Sequence, residues 1–162
     1  MTKKVQEVCD LLNNKGINFN LVEHKAVYTI DEMLELNLPD ADVIAKNLFL
    51  RDNKKRNYYL LVVCKDKRVN LKALKEKLCS KPLSFASEKD LESILGLSKG
   101  SVTPFGIIND KERKVKVIID NFFKEKLIGV HPNENTATVW LNVSDLVEII
   151  KEHGNFIEFL DI

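Results

Sequence analysis

The longest uninterrupted apolar run of this chain, Tyr58 to Cys64, is seven residues long, about a third of the ~20 that a membrane-spanning helix needs. Seven residues is the length of a strand, and a strand apolar at every position has to be covered on both faces. Val115 to Ile119 is β-branched at every position except Lys116, a composition expected of a buried central strand. With 162 residues the chain has enough length for one domain with a real core, without help from disulfides or metal.

The other elements follow from local signals. Val5, Val8, Leu11 and Leu12 recur at helical spacing, and Gly16 stands where a left-handed cap stops that helix. Asn18 to Val22 alternates like a strand and delivers His24 to a loop. Thr29 and Glu32 have capping-box spacing, which predicts a short helix to about Leu36, before Pro39. Val43 to Leu50 and Tyr58 to Cys64 predict an antiparallel hairpin around the polar loop Arg51 to Asn57. Asn70 caps a helix bearing Leu71, Leu74 and Leu78, and Ser87 to Asp90 opens another that closes at Gly96, with the short run Leu83 to Phe85 between them. A loop runs from Gly96 to Gly106. Leu127 to Val130 and Thr136 to Leu141 are strands joined by His131 to Asn135. Ser144 caps a last helix that Gly154 ends, before a closing strand from Phe156 to Leu160. The expected fold is α/β of the α+β type, a single domain over 1–162 with a mixed, mostly antiparallel sheet flanked by helices. Regular βαβ alternation is absent, which argues against a doubly wound sheet.

The net charge of +1 conceals an uneven distribution. Between Val43 and Lys81 twelve basic residues face three acidic ones, a local +9 that leaves −8 for the remainder. Such a segment is either a solvated face or a local contact for a polyanion, since each Lys or Arg meeting a phosphate adds affinity by counterion release. Cys9, Cys64 and Cys79 have long spacings and no Cys-x-x-Cys, so reduced, mostly buried thiols are expected, with neither a disulfide framework nor a zinc site. The N-terminus enters a helical pattern without an apolar secretion core, so a cytoplasmic location is expected.

No nucleophile elbow, P-loop, dinucleotide fingerprint or H-E-x-x-H stands in the chain, and the three histidines lack metal-ligand spacing. No metal and no cofactor is therefore expected. Three features remain. Lys46 sits in the otherwise apolar run Val-Ile-Ala-Lys-Asn-Leu-Phe-Leu; it either points to solvent from an edge strand or enters a cleft where an anion balances it. Gly100 to Gly106 is a loop with glycines at both ends, either a plain connector or a cradle that aims its amides at an oxygen. His131 sits on a turn between strands, as a structural group or as a near-neutral titrating group in a cleft.

The segments Val22 to His24, Val27 to Thr29, Lys46 to Asp52, Leu83 to Ser87, Gly100 to Gly106, Ile108-Asn109, and His131-Pro132 with Asn135 to Thr138 occur in an order that resembles the YbaK/prolyl-tRNA-synthetase-associated editing domain family. Within it they are most similar to the free-standing branch that deacylates alanyl-tRNA(Pro). The resemblance implies a trans-editing hydrolase that cleaves the aminoacyl ester of mischarged tRNA(Pro), most of all alanyl-tRNA(Pro). The alternatives it leaves are a cysteinyl-tRNA(Pro) deacylase and a non-catalytic tRNA-binding module associated with prolyl-tRNA synthetase.

Carried over residue by residue, the family's essential lysine falls on Lys46, its loop glycine on Gly100 and its third-motif histidine on His131, the three catalytic candidates. Asn47, Ser101, Thr103 and Pro104 are the substrate-binding candidates, and Arg51, Lys54, Lys55 and Arg56 of the basic hairpin the tRNA contacts. The helix from Thr29 to Leu36 is where the family gates its pocket. An aminoacyl ester is already activated, so a positioned water and stabilisation of the developing oxyanion suffice, without a covalent enzyme intermediate. The expected partners are the acceptor end of tRNA(Pro) and, as a further candidate, prolyl-tRNA synthetase. No membrane association and a monomeric state are expected. Ile44-Ala45 and Trp140 depart from the family's common pattern, which leaves pocket size and amino-acid specificity open.

Overall fold

The computed structural model describes residues 1–162 and contains two sheets. Helix α1 (Lys3–Asn14) leads to β1 (Phe19–Glu23), α2 (Ile30–Glu35), β2 (Ala45–Asp52), β3 (Tyr58–Cys64), α3 (Leu71–Leu78) and β4 (Leu83–Phe85). After the short α4 (Glu88–Asp90), which continues as a π turn over Leu91–Leu95, come β5 (Val115–Asp120), β6 (Leu127–Val130), β7 (Ala137–Asn142), α5 (Val143–His153) and β8 (Ile157–Leu160). The five-stranded sheet has the order β4-β2-β3-β5-β8, and the three-stranded sheet the order β1-β7-β6. Pairing is antiparallel except for β3 with β5 and β5 with β8. A single parallel bridge, Ile44 to Gly129, joins the sheets beside the start of β2.

The apolar runs are buried on both faces, as their composition requires. Leu60 and Val62 of β3 join Val115, Val117 and Ile119 of β5 in the main core, against α1, α5 and the inner face of the smaller sheet. Tyr59, Leu61, Val63 and Ile118 point the other way and pack on Leu74 of α3. A third, small cluster of Val27, Met33, Ile44 and Trp140 lies where α2 meets the junction of the sheets.

Local signals set most boundaries. Thr29 Oγ1 accepts from the Glu32 amide, while the Glu32 carboxylate reaches back to the Tyr28 amide, one residue earlier than a capping box requires. Asn70 caps α3, and Gly96 and Gly154 end their helices in the left-handed region. Four expectations change. One sheet becomes two. Strand β2 starts at Ala45 and runs to Asp52, because Ala41–Val43 form a 3-10 turn after left-handed Asp40. The Gly96 to Gly106 loop ends early, since Pro104–Asn109 is a 3-10 helix with proline in its first turn. Helix α5 starts at Val143 with Asn142, not Ser144, at the cap position: β7 runs straight into it and the orphan Val143 amide donates to the Lys126 carbonyl at 3.0 Å. All three cysteines are free, yet only Cys9 is buried; Cys79 is exposed because α3 ends on it in a left-handed turn. No helix is long and apolar enough to cross a membrane.

Candidate functional site

The start of β2, the Gly100 loop and the turn after β6 converge on one cavity of about 210 Å³. Lys46, Asn47, Gly100 and His131 all line it, together with an apolar wall that includes Val27, Met33 and Ile44. The convergence follows from topology. The Ile44–Gly129 bridge brings the start of β2 beside β6, and Thr103 Oγ1 donates to the His131 carbonyl at 2.5 Å, tying the glycine loop to the histidine turn.

Successive residues of β2 face opposite sides of the sheet. Asn47 shares its face with Ala45 and Phe49 of the main core, and its Oδ1 is buried without a hydrogen-bond partner within the protein. Lys46 shares its face with Leu48 and Leu50, and its Nζ donates to the Lys67 carbonyl after β3. That carbonyl lies outside the cavity lining, so to reach a ligand the Lys46 side chain has to leave or share this bond. An ammonium carries three donors, so sharing is open to it.

Gly100 has φ +87, and a Cβ there would stand 2.8 Å from Tyr28 Cδ1. Tyr28, 66% exposed, lies over the loop as a cover. The amides of Gly100 and Val102 have no partner within the chain, whereas that of Ser101 donates to the Ser98 carbonyl at 3.0 Å. The loop therefore alternates: Gly100 and Val102 face the cavity, while Ser101, Thr103 and Pro104 are buried outside the lining. These three expected substrate contacts thus support the site from behind. Thr103 has its hydroxyl engaged twice, with the His131 carbonyl and with the Phe105 amide. Pro104 starts the 3-10 helix.

His131 Nδ1 lies 2.9 Å from the Ala137 carbonyl and must donate to it, so in the neutral ring Nε2 is the acceptor. Burial lowers its pKa below the ordinary value; the Ala137 carbonyl works against that shift and neighbouring His24 works with it. The two imidazole centroids are 6.2 Å apart.

The expected tRNA contacts divide. Lys54, Lys55 and Arg56 are exposed at the hairpin tip, six or more residues along β2 from Lys46, which at ~3.3 Å per residue is roughly 20 Å from the cavity. Arg51 is not free. Its guanidinium meets the Asp90 carboxylate at 2.5 Å, with 22% and 20% of the two side chains exposed, and it pins β2 to α4. Burial works to raise the Asp90 pKa, but hydrogen bonds from Arg51 and Ser87 outweigh it and hold the carboxyl below its usual range.

Residue-by-residue reading of the chain assigns no role to Val27, Tyr28, Met33 and Val102 of the cavity's wall and cover, although Val27, Tyr28 and Val102 lie inside the motifs that carry the resemblance; Ile44 enters it only as a residue bearing on pocket size. It also missed Asn135, whose Nδ2 donates to the Val27 carbonyl at 2.7 Å and so holds the segment that carries Tyr28. No group of three or more His, Cys, Asp or Glu side chains could hold a metal ion.

Residues 24–149 match the family model described as the aminoacyl-tRNA editing domain. Prolyl-tRNA editing protein ProX of Acetoanaerobium sticklandii is 45% identical over 158 residues, which is 97% of this chain and 96% of that protein. Prolyl-tRNA synthetase associated domain-containing protein 1 of Mus musculus is 35% identical over 145 residues, 86% of this chain and 85% of that one. Among solved structures, one described as a candidate trans-editing enzyme for prolyl tRNA synthetase superposes with a TM-score of 0.74 at 18% identity, covering 100% of this chain and 99% of that one. At that identity the likeness concerns the fold.

Proposed function

Because this chain belongs to the aminoacyl-tRNA editing domain family, we propose that it hydrolyses the ester linking a wrong amino acid to the 3′ end of tRNA(Pro), in trans, with alanine as the preferred amino acid. The observation that carries the reading is the single small cavity onto which Lys46, Asn47, Gly100 and His131 converge.

In this reading the Lys46 ammonium leaves or shares the Lys67 carbonyl and holds the terminal phosphate or the ester oxygen. The unpartnered amides of Gly100 and Val102 point their dipoles at the developing oxyanion, a contribution that hydrogen-bond donors make most strongly in a site shielded from water. His131, neutral with Nε2 as acceptor, orients the attacking water, and the Asn47 amide orients the aminoacyl group. No covalent intermediate is required, because the ester is already activated.

Selectivity follows from size. A synthetase pocket built for proline loses only ~1–3 kcal/mol on admitting a smaller apolar side chain, so a second and smaller site has to complete the discrimination. Here the apolar wall of Val27, Met33 and Ile44, backed by Trp140, sets the limit.

The test is deacylation of alanyl-, cysteinyl- and prolyl-tRNA(Pro) side by side by the purified protein and its Lys46→Ala variant. We expect rapid release of alanine, sparing of prolyl-tRNA(Pro), and a loss of roughly 10²–10³-fold in the variant, the scale of removing one group that stabilises the transition state, with an unchanged melting temperature. Release of cysteine in preference to alanine would reassign the specificity, and full activity of the variant would remove Lys46 from the chemistry.

A further inference from the structure

A second cavity, of about 340 Å³, adjoins the first and shares Asn47, Gly100 and Val102 with it. Its size lies within the ~300–1,000 Å³ typical of small-molecule sites. Phe49, Phe85 and Leu91 supply an apolar wall, and Phe85, on the edge strand β4, is 60% exposed.

The open edge of β2 faces this cavity. The Ala86 amide donates to the Phe49 carbonyl at 2.9 Å, so the odd-numbered residues of β2 turn their main-chain groups toward the β4 side. Pairing with β4 covers only Leu50 to Asp52 and ends with that bond. Asn47, two residues earlier, therefore directs an N–H and a C=O to the same edge with no strand opposite. A solvated flat aromatic ring beside an adjacent donor and acceptor on a strand edge is the complement of a nucleobase, which offers a π face and a hydrogen-bonding edge.

We propose that this second cavity is the subsite for the terminal adenine of the substrate. The base would stack on Phe85 while its N1 accepts from the Asn47 N–H and its 6-amino group donates to the Asn47 carbonyl. The assignment rests on the editing reading above, in which the aminoacyl group enters the first cavity. Base and ester then sit on the same ribose, so their sites must adjoin, as these two do across Asn47 and Gly100.

The test compares hydrolysis of 3′-O-alanyl-adenosine with that of the alanyl ester of a base-free ribose, by the wild type and by Phe85→Ala, and follows the Asn47 amide resonance during titration with adenosine. The wild type should prefer the adenosine ester, and because a stacked base is worth roughly tenfold or more in affinity, that preference should collapse toward unity in the variant. The Asn47 amide should shift with adenosine in the wild type, and the shift should weaken in the variant. Equal hydrolysis of the two esters by an active wild type, with a silent Asn47 amide, would overturn the subsite and leave the editing function standing. A shifting Asn47 amide in a protein that releases alanine from no ester or tRNA would keep the subsite and overturn the editing function.

Discussion

Gly100 meets two constraints at once: a left-handed φ and an aromatic ring where a side chain would begin. An L-residue in that region costs about 1–2 kcal/mol, and the added Cβ would push the exposed Tyr28 ring off the cavity. Gly100→Ala should therefore lower the unfolding free energy by about 1–2 kcal/mol in chemical denaturation, and lower kcat/KM by more than that loss of folded protein explains. Adding Tyr28→Ala removes the contact but not the φ, so the double variant should stay destabilised. His131 carries a pH signature. Its native pKa is depressed, so below the unfolded value of ~6.5 the unfolded chain binds a proton that the native ring refuses, and stability falls as pH drops from there toward the native pKa. Denaturation between pH 5 and 8 should show this decline, and His131→Gln should flatten it. The lowered carboxyls of Asp52 and Asp90 act in a separate window: their contribution is present above the ordinary carboxylate range and lost only as pH falls through it.

At the scale of elements, the basic segment resolves into charges with different tasks. Arg51 was expected at the tRNA surface with its neighbours, but the Asp90 carboxylate, 39 positions later in the chain, claims it. Removing one partner of a charged hydrogen bond in a half-buried place costs about 1.5–3 kcal/mol. Arg51→Ala should show that loss as a lower denaturation midpoint, separable from any change in tRNA affinity. Lys54, Lys55 and Arg56 make the opposite prediction. They are exposed and unpaired by any acidic side chain, so changing all three to Ala should leave stability within about 0.5 kcal/mol. If the hairpin tip meets the acceptor stem, the same change should reduce the dependence of log Kd on log salt by about 0.7–0.9 per lost phosphate contact. The hairpin itself stands apart from this role: buried Asp52 accepts from the Arg56 amide and the Asn57 side chain, which fixes the tip whatever the lysines do.

For the whole molecule, the decisive feature is the join between the two sheets. Gly129 lets Trp140 and Ile44 approach closely, since a Cβ there would fall 2.8 Å from Trp140 Nε1 and 3.1 Å from Ile44. Together Ile44 and Trp140 build part of the apolar wall of the cavity and its backing. Trp140→Ala should cost about 3–5 kcal/mol and relax the size limit, so prolyl-tRNA(Pro), spared by the native protein, should be deacylated by whatever fraction of the variant remains folded. Sequence alone determined what neighbours along the chain decide: the helix starts at Thr29 and Asn70, the stops at Gly96 and Gly154, and the largely buried strands β3 and β5. The order of its motifs also named Lys46, Gly100 and His131 together. Tertiary structure alone decided that the strands split into two sheets, that Arg51 belongs to Asp90, and that Ser101, Thr103 and Pro104 turn inward while Gly100 and Val102 face the cavity. The physical reason is one of range. Capping and periodicity are satisfied within a few residues, but a side chain's direction and partner are settled by the burial of groups tens of residues away, and no local pattern encodes that.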